Sequence, residues 1–440
     1  MTQHGPPRHA SRAQAHRAQP GPNATGPFLV VGLIGSVGIV VLVALISGAL
    51  SRQASTAIGP GGTGAPPLGS LGAISSAIPP SSFPPTSSAP ASASPAPTAT
   101  AATATANVYA GAGAGMFAPQ VASIPPRVYV PDEATGLTFV IDPTTFKIVD
   151  RYDVGASPEH VTPDWDLKRL YVEAPFSRRL TIIDPASGRP AGRLTVPGPY
   201  NLYFTVDGTM AIVVLDSARS GVAAGGQKQL YFFDRRTWRL IKAVDVPWAG
   251  ADHLDFSADG SFFLISTEYT GRVVKVDVGK MAVVGVLKVG GQPVDVRLAP
   301  DGRVFYVANQ ATNGVSVIDA TGFRQIGFIP TGRGAHGLAI SRDARWLYVT
   351  NRLAGSLSVI DVTTRKVVHT WQIGGTPDMI AVSPDGSQLW ISNRYSGTVS
   401  VVDGHTGSMI ATVKVGGRPH GLTYFPSPGS ISLGHNGIYR

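Results

Sequence analysis

The sequence predicts an all-β fold, a seven-bladed β-propeller with velcro closure, preceded by one transmembrane helix and a disordered stalk rich in Pro, Ala, Ser and Thr. Three observations predict it. A run of apolar residues ending in Asp recurs seven times with a period near 42 residues. An uncharged apolar stretch lies close to the N-terminus, and between it and the repeats no Asp, Glu, Lys or Arg occurs from Gln53 to Pro126.

The repeat is marked by Asp142, Asp184, Asp234, Asp277, Asp319, Asp361 and Asp403, at spacings of 42, 50, 43, 42, 42 and 42. Only β-type alternation appears inside the period, which excludes a helical solenoid and specifies four-stranded blades. In one unit the strands are Gly337 to Ser341, Trp346 to Asn351, Ser356 to Asp361 and Lys366 to Ile373, joined by hairpins. Asp207-Gly208, Asp259-Gly260, Asp301-Gly302 and Asp385-Gly386 supply the turn between first and second strands. The seven repeat-defining Asp residues sit at strand ends before polar turns. Their expected work is local, accepting N–H bonds from their own turns.

Closure is legible as well. Gly421 to Phe425 matches a first strand with none following, whereas Arg127 to Val154 supplies three strands without a first. The two ends complete one shared blade, which removes the exposed sheet edge. The propeller is thus expected over 127–425, with a C-terminal tail over 426–440.

Phe28 to Leu50 runs 23 residues without a charge, and about 20 suffice to span the hydrocarbon core. Arg8, Arg12 and Arg17 precede it, which places residues 1–27 in the cytoplasm as a basic tail and everything after the helix outside. The alternative is a cleaved signal peptide, with small residues at Ser47-Gly48-Ala49, but the apolar run is longer than a secretory core requires. Residues 51–126 cannot bury a core and form the stalk. The absence of cysteine excludes disulfides, thiolate catalysis and Cys-ligated metals. The net charge of +9 includes four arginines flanking the apolar segment, so the propeller's own excess is mild and nucleic acid is not an expected partner.

Leu347-Tyr348-Val349-Thr350-Asn351, with Val307-Ala308-Asn309 and Ile391-Ser392-Asn393 in register, resembles the YVTN-repeat β-propeller family over about residues 127–425. The early blades depart from it at Val172-Glu173-Ala174 and Ile265-Ser266-Thr267. The resemblance implies a seven-bladed, usually extracytoplasmic propeller, in a family whose members often have no assigned activity.

First strands line the central channel, so the residues entering them converge on one mouth. There the sequence places Glu159, His160, Asp252, His253, Asp295, His336, Asp378 and His420. Imidazoles and carboxylates together suit a divalent metal or acid-base chemistry near neutral pH, and no other cofactor is implied. The same face carries the insertion Ser217 to Gln229 and a rim of Arg178, Arg179, Tyr269, Arg272, Arg352, Arg394 and Tyr395, suited to an anionic ligand. No nucleophile-base pair or nucleotide fingerprint stands out. The expected function is a membrane-anchored extracytoplasmic binding or scaffold module, monomeric, whose partner is a cell-envelope protein, glycan or peptide. The alternative is a lactonase-like propeller hydrolase or lyase with a His/Asp site at the mouth.

Overall fold

The computed structural model describes residues 107–215, 228–435 and 437–440. The expected anchor, the stalk up to Ala106 and most of the insertion Ser217 to Gln229 lie outside them. Among the described residues no helix is long and apolar enough to cross a membrane.

Seven antiparallel sheets surround a channel, six of them four-stranded. The innermost strands of blades 1 to 7 are Thr423–Phe425, Val161–Pro163, Pro199–Phe204, Ala251–Phe256, Pro293–Leu298, Ala335–Ile340 and Pro377–Val382. Burial follows position within a blade. In blade 6 the strands Trp346–Asn351 and Ser356–Asp361 are largely buried, whereas the outer strand Lys366–Gln372 is mostly exposed. Apolar side chains on both faces of each middle strand meet those of the adjoining blades. Ala339 and Val359 of blade 6 accordingly share a cluster with Leu389 and Ile391 of blade 7, and the core is distributed around the ring.

The repeat residues do local work. Asp361 accepts the backbone N–H groups of Thr363 at 3.0 Å and Thr364 at 2.8 Å, and Asp142 does the same for Thr144 and Thr145. The Asn closing the YVTN-like strand of blade 5 clips the loop arriving from blade 4, whereas Asn351 and Asn393 donate to hydroxyls of the third strand of their own blades. Asn309 Oδ1 accepts from Gln292 N at 2.9 Å while its Nδ2 donates to Gly290 O at 2.9 Å. Blade 1 uses Asp132 instead, which accepts from Arg418 N at 3.0 Å. Closure occurs as the repeat predicts, with Thr423–Phe425 pairing antiparallel to Arg127–Asp132.

Two boundaries need correction. Residues 107–126, expected in the stalk, fold onto the propeller face that carries the first-to-second-strand turns. Tyr109 Oη donates to Leu298 O at 2.8 Å, Val108 N donates to Pro300 O at 2.9 Å, and Val121 is fully buried. The tail 426–440 likewise folds, forming strands Ser432–Gly434 and Ile438–Tyr439. Gly434 pairs with Tyr203, so blade 3 becomes six-stranded by addition on its channel side. Arg440 donates to Phe256 O at 3.0 Å and Ser257 O at 3.2 Å. The C-terminus therefore enters the channel from the turn face and fills it. A cavity of about 30 Å³ remains beside Arg297 and Tyr439, room for little more than one water.

Candidate functional site

The mouth is a closed network rather than an open polar well. Glu159, His160, Asp252, His253, Asp295, His336, Asp378 and His420 are all buried. His420 Nδ1 lies 2.8 Å from Glu159 Oε2 and 3.5 Å from Glu133 Oε1, and its Nε2 is 3.4 Å from Asp378 Oδ2. Asp378 in turn accepts from Arg352 Nε at 2.8 Å and lies 3.3 Å from His336 Nδ1. Blades 6, 7, 1 and 2 are thus stitched together through side chains. Asp295 does not join them. Its Oδ2 accepts from Leu338 N at 2.8 Å and its Oδ1 from Val296 N at 2.8 Å, so it ties blade 5 to blade 6 below the mouth.

Two expected rim residues turn inward. Arg352 also donates to Gln310 Oε1 at 2.9 Å, and Arg394 pairs with Glu133 while lying 3.9 Å from Glu159 Oε2. Buried carboxylates draw these guanidiniums in, because an unpaired charge there would be costly. Burial, reinforced by Arg352, pulls the His336 imidazole down to about 3, so it is neutral near pH 7. Burial opposes ionisation of Asp378, yet Arg352, His336, His420 and Arg394 hold it well below the usual carboxylate range. For His253 burial acts against the charge, but Asp252 outweighs it and raises the pKa.

Toward blade 4 the mouth holds a second grouping. His160, His253 and His435 offer nitrogen atoms within 4.8 Å of one another, as do Glu133, Glu159 and His420 with their own donor atoms. Tyr200 packs edge-on against His160, with ring centroids 5.5 Å apart.

The accessible surface of this face is its rim. Four side chains at the tips of second-to-third-strand loops are large, apolar and exposed: Phe176 at 52%, Tyr269 at 54%, Leu353 at 62% and Tyr395 at 60%. Among the expected rim cations, Arg178 caps its loop with positive φ, Arg179 pairs with Asp153 at 3.0 Å, and Arg272 Nη1 donates to Thr270 O at 2.7 Å. Between blades 1 and 2 a groove of about 400 Å³ is lined by Glu133, Ser157, Phe176 and Arg418.

Glu133, Glu173 and His435 belong to the site and were not singled out from sequence. Glu133 follows its strand as Arg352 and Arg394 follow theirs, so the column after the second strand carried the signal. Glu173 stands where blades 4, 6 and 7 carry a hydroxyl residue. His435 lies beyond the repeat, and no periodicity locates it.

No curated protein matches this chain. Solved structures share the fold at low identity. A periplasmic gluconolactonase of Pseudomonas aeruginosa is 20% identical with TM-score 0.57, over 69% of this chain and 99% of that one. A putative 6-phosphogluconolactonase of Bacteroides fragilis is 18% identical with TM-score 0.55, over 68% and 98%. A functionally unknown protein of Desulfotomaculum acetoxidans is 15% identical with TM-score 0.57, over 68% and 98%. The family model for the YNCE-like beta-propeller matches residues 98–427, which takes in the whole repeat, and the chain belongs to that family.

Proposed function

We propose that the protein is a membrane-tethered, extracytoplasmic binding module whose mouth-face rim engages an anionic cell-envelope polymer. One observation carries the reading: the charges of the mouth are buried and matched to one another, while the rim above them exposes Phe176, Tyr269, Leu353 and Tyr395 beside cations. Exposed apolar tips clustered on one face mark interaction surfaces, and aromatic and Arg side chains dominate binding energy where they are anchored. The tether rests on the uncharged run Phe28 to Leu50 behind Arg8, Arg12 and Arg17. Asn107, where the described chain begins, lies on the turn face, and the rim residues lie on the other.

The test is co-sedimentation of the detergent-solubilised full chain with isolated cell-wall polymer. Tyr269→Ala and Tyr395→Ala, each with Arg178→Ala, should weaken retention by about tenfold or more, and raised salt should weaken it further. Retention that ignores both the substitutions and the salt would rule the reading out.

A second reading, a lactonase-like hydrolase, is favoured by one contact, His420 Nδ1 held 2.8 Å from Glu159 Oε2 as a general base would be. The gluconolactonase structures lend it a fold. Lactone turnover that disappears in His420→Ala would establish it, and no turnover by the full chain would discard it.

A further inference from the structure

We propose that His160, His253 and His435 bind one transition-metal ion of the zinc class, and that this ion pins the C-terminal segment inside the channel. The inference is independent of what the rim binds.

The three histidines come from distant parts of the chain: the entrance to blade 2, the inner strand of blade 4, and the tail laid along blade 3. All three are buried. Their ring centroids lie 4.1 Å apart for His160 and His435, 4.6 Å for His253 and His435, and 5.3 Å for His160 and His253. One nitrogen from each falls within 4.8 Å of the others. Tetrahedral ligands on bonds of about 2.0–2.1 Å sit roughly 3.4 Å apart, a separation that small rotations of the three rings can supply. An all-imidazole set favours zinc, copper or nickel over calcium or magnesium.

At His253 the neighbouring group is one a metal-bound imidazole uses. His253 Nδ1 lies 2.9 Å from Asp252 Oδ1, which places the proton on Nδ1 and leaves Nε2 as the ligand. The local backbone is shaped for the approach. A Cβ at Gly434 would come within 2.2 Å of the Tyr203 ring, so only glycine lets the tail lie flat there and carry His435 to the cluster. A Cβ at Gly421 would likewise strike His160 Nδ1 at 2.1 Å.

The adjacent trio of Glu133, Glu159 and His420 is the weaker claimant, since Arg394 already serves as its cation. His435 lies beyond residue 427, where the family match ends, so the third ligand comes from outside the repeat. An ion joining residues so far apart in sequence closes long loops, the setting in which a clip adds most to stability.

The test uses the untagged full chain, stripped of metal and then loaded with Zn²⁺ or Co²⁺. Because His4, His9 and His16 can hold metal of their own, the quantity read is the difference between wild type and variants. One ion per chain should be lost in His435→Ala and in His160→Gln, and retained in His405→Ala, whose side chain lies in an exposed outer turn. Co²⁺ should give the visible absorption of a four-coordinate ion in wild type and His405→Ala, and not in His435→Ala or His160→Gln. Metal should raise the melting temperature of wild type and leave that of His435→Ala unmoved. Equal metal content in wild type and a cooperatively melting His435→Ala would overturn the proposal, as would a folded wild type with no Co²⁺ band. If His435→Ala fails to fold, His160→Gln decides on the same two outcomes.

Discussion

At the penultimate position of the second strand, blades 4, 6 and 7 carry Ser266, Thr350 and Ser392, whose hydroxyls bond the backbone of the first strands. Thr350 Oγ1 donates to Asp378 O at 2.6 Å and accepts from Gly337 N at 2.7 Å. Blade 2 places Glu173 there, fully buried, and burial raises its carboxyl well above the ordinary 4.5. Its folded form therefore keeps a proton that the unfolded chain releases, so its contribution is fully present below about pH 4.5 and is lost as pH rises. The loss runs at about 1.4 kcal/mol per pH unit until the folded pKa is reached. Glu173→Gln should remove it. In melting curves the variant's advantage over wild type should widen from pH 4 to pH 8, and a constant difference would contradict the assignment. The mouth was legible because the repeat fixes which residue begins each inner strand, so His160, His253, His336 and His420 could be placed together. Which way a side chain turns there depends on the next blade. Asp295 therefore left the mouth for Leu338 N, and Arg352 and Arg394 entered it.

At the scale of elements, a strand ending in Asn recurs because the amide bonds whatever lies beside the strand end: at Asn309 it satisfies one donor and one acceptor of the loop between blades, and at Asn351 and Asn393 it donates to hydroxyls of the third strand. Asn309→Ala leaves both backbone groups to find other partners and should cost about 1–3 kcal/mol, read as a lower denaturant midpoint with an unchanged slope. A cost within error of zero would show that the loop holds itself. Strands and turns were legible element by element, since alternation and Asp-Gly pairs mark them locally. The two terminal segments were not. Residues 107–126 have the small, uncharged composition of the stalk and fold through a few anchors such as Tyr109 and Val121. Ser432–Gly434 and Ile438–Tyr439 are too short to show alternation, and they form because the channel offers the edge of Pro199–Phe204.

At the scale of the molecule, one principle runs from fold to site: the chain's own terminal segments cover the edges they meet. The shared blade joins the ring. The C-terminal segment covers the channel edge of blade 3, bringing Leu433, Ile438 and Tyr439 out of water. With the turn face sealed and the mouth's charges matched, recognition is left to the rim, and His435 reaches His160 and His253 only because the tail is inserted. Hydrogen exchange on the intact chain tests this central claim most directly. Ser432 N donates to Trp165 O and Arg440 N to Ile431 O, both at 3.1 Å, so peptides spanning 428–440 should exchange as slowly as the inner strand Pro199–Phe204. Exchange of 428–440 at the rate of exposed loops, with the ring itself protected, would contradict the inserted tail and the account of the site built upon it.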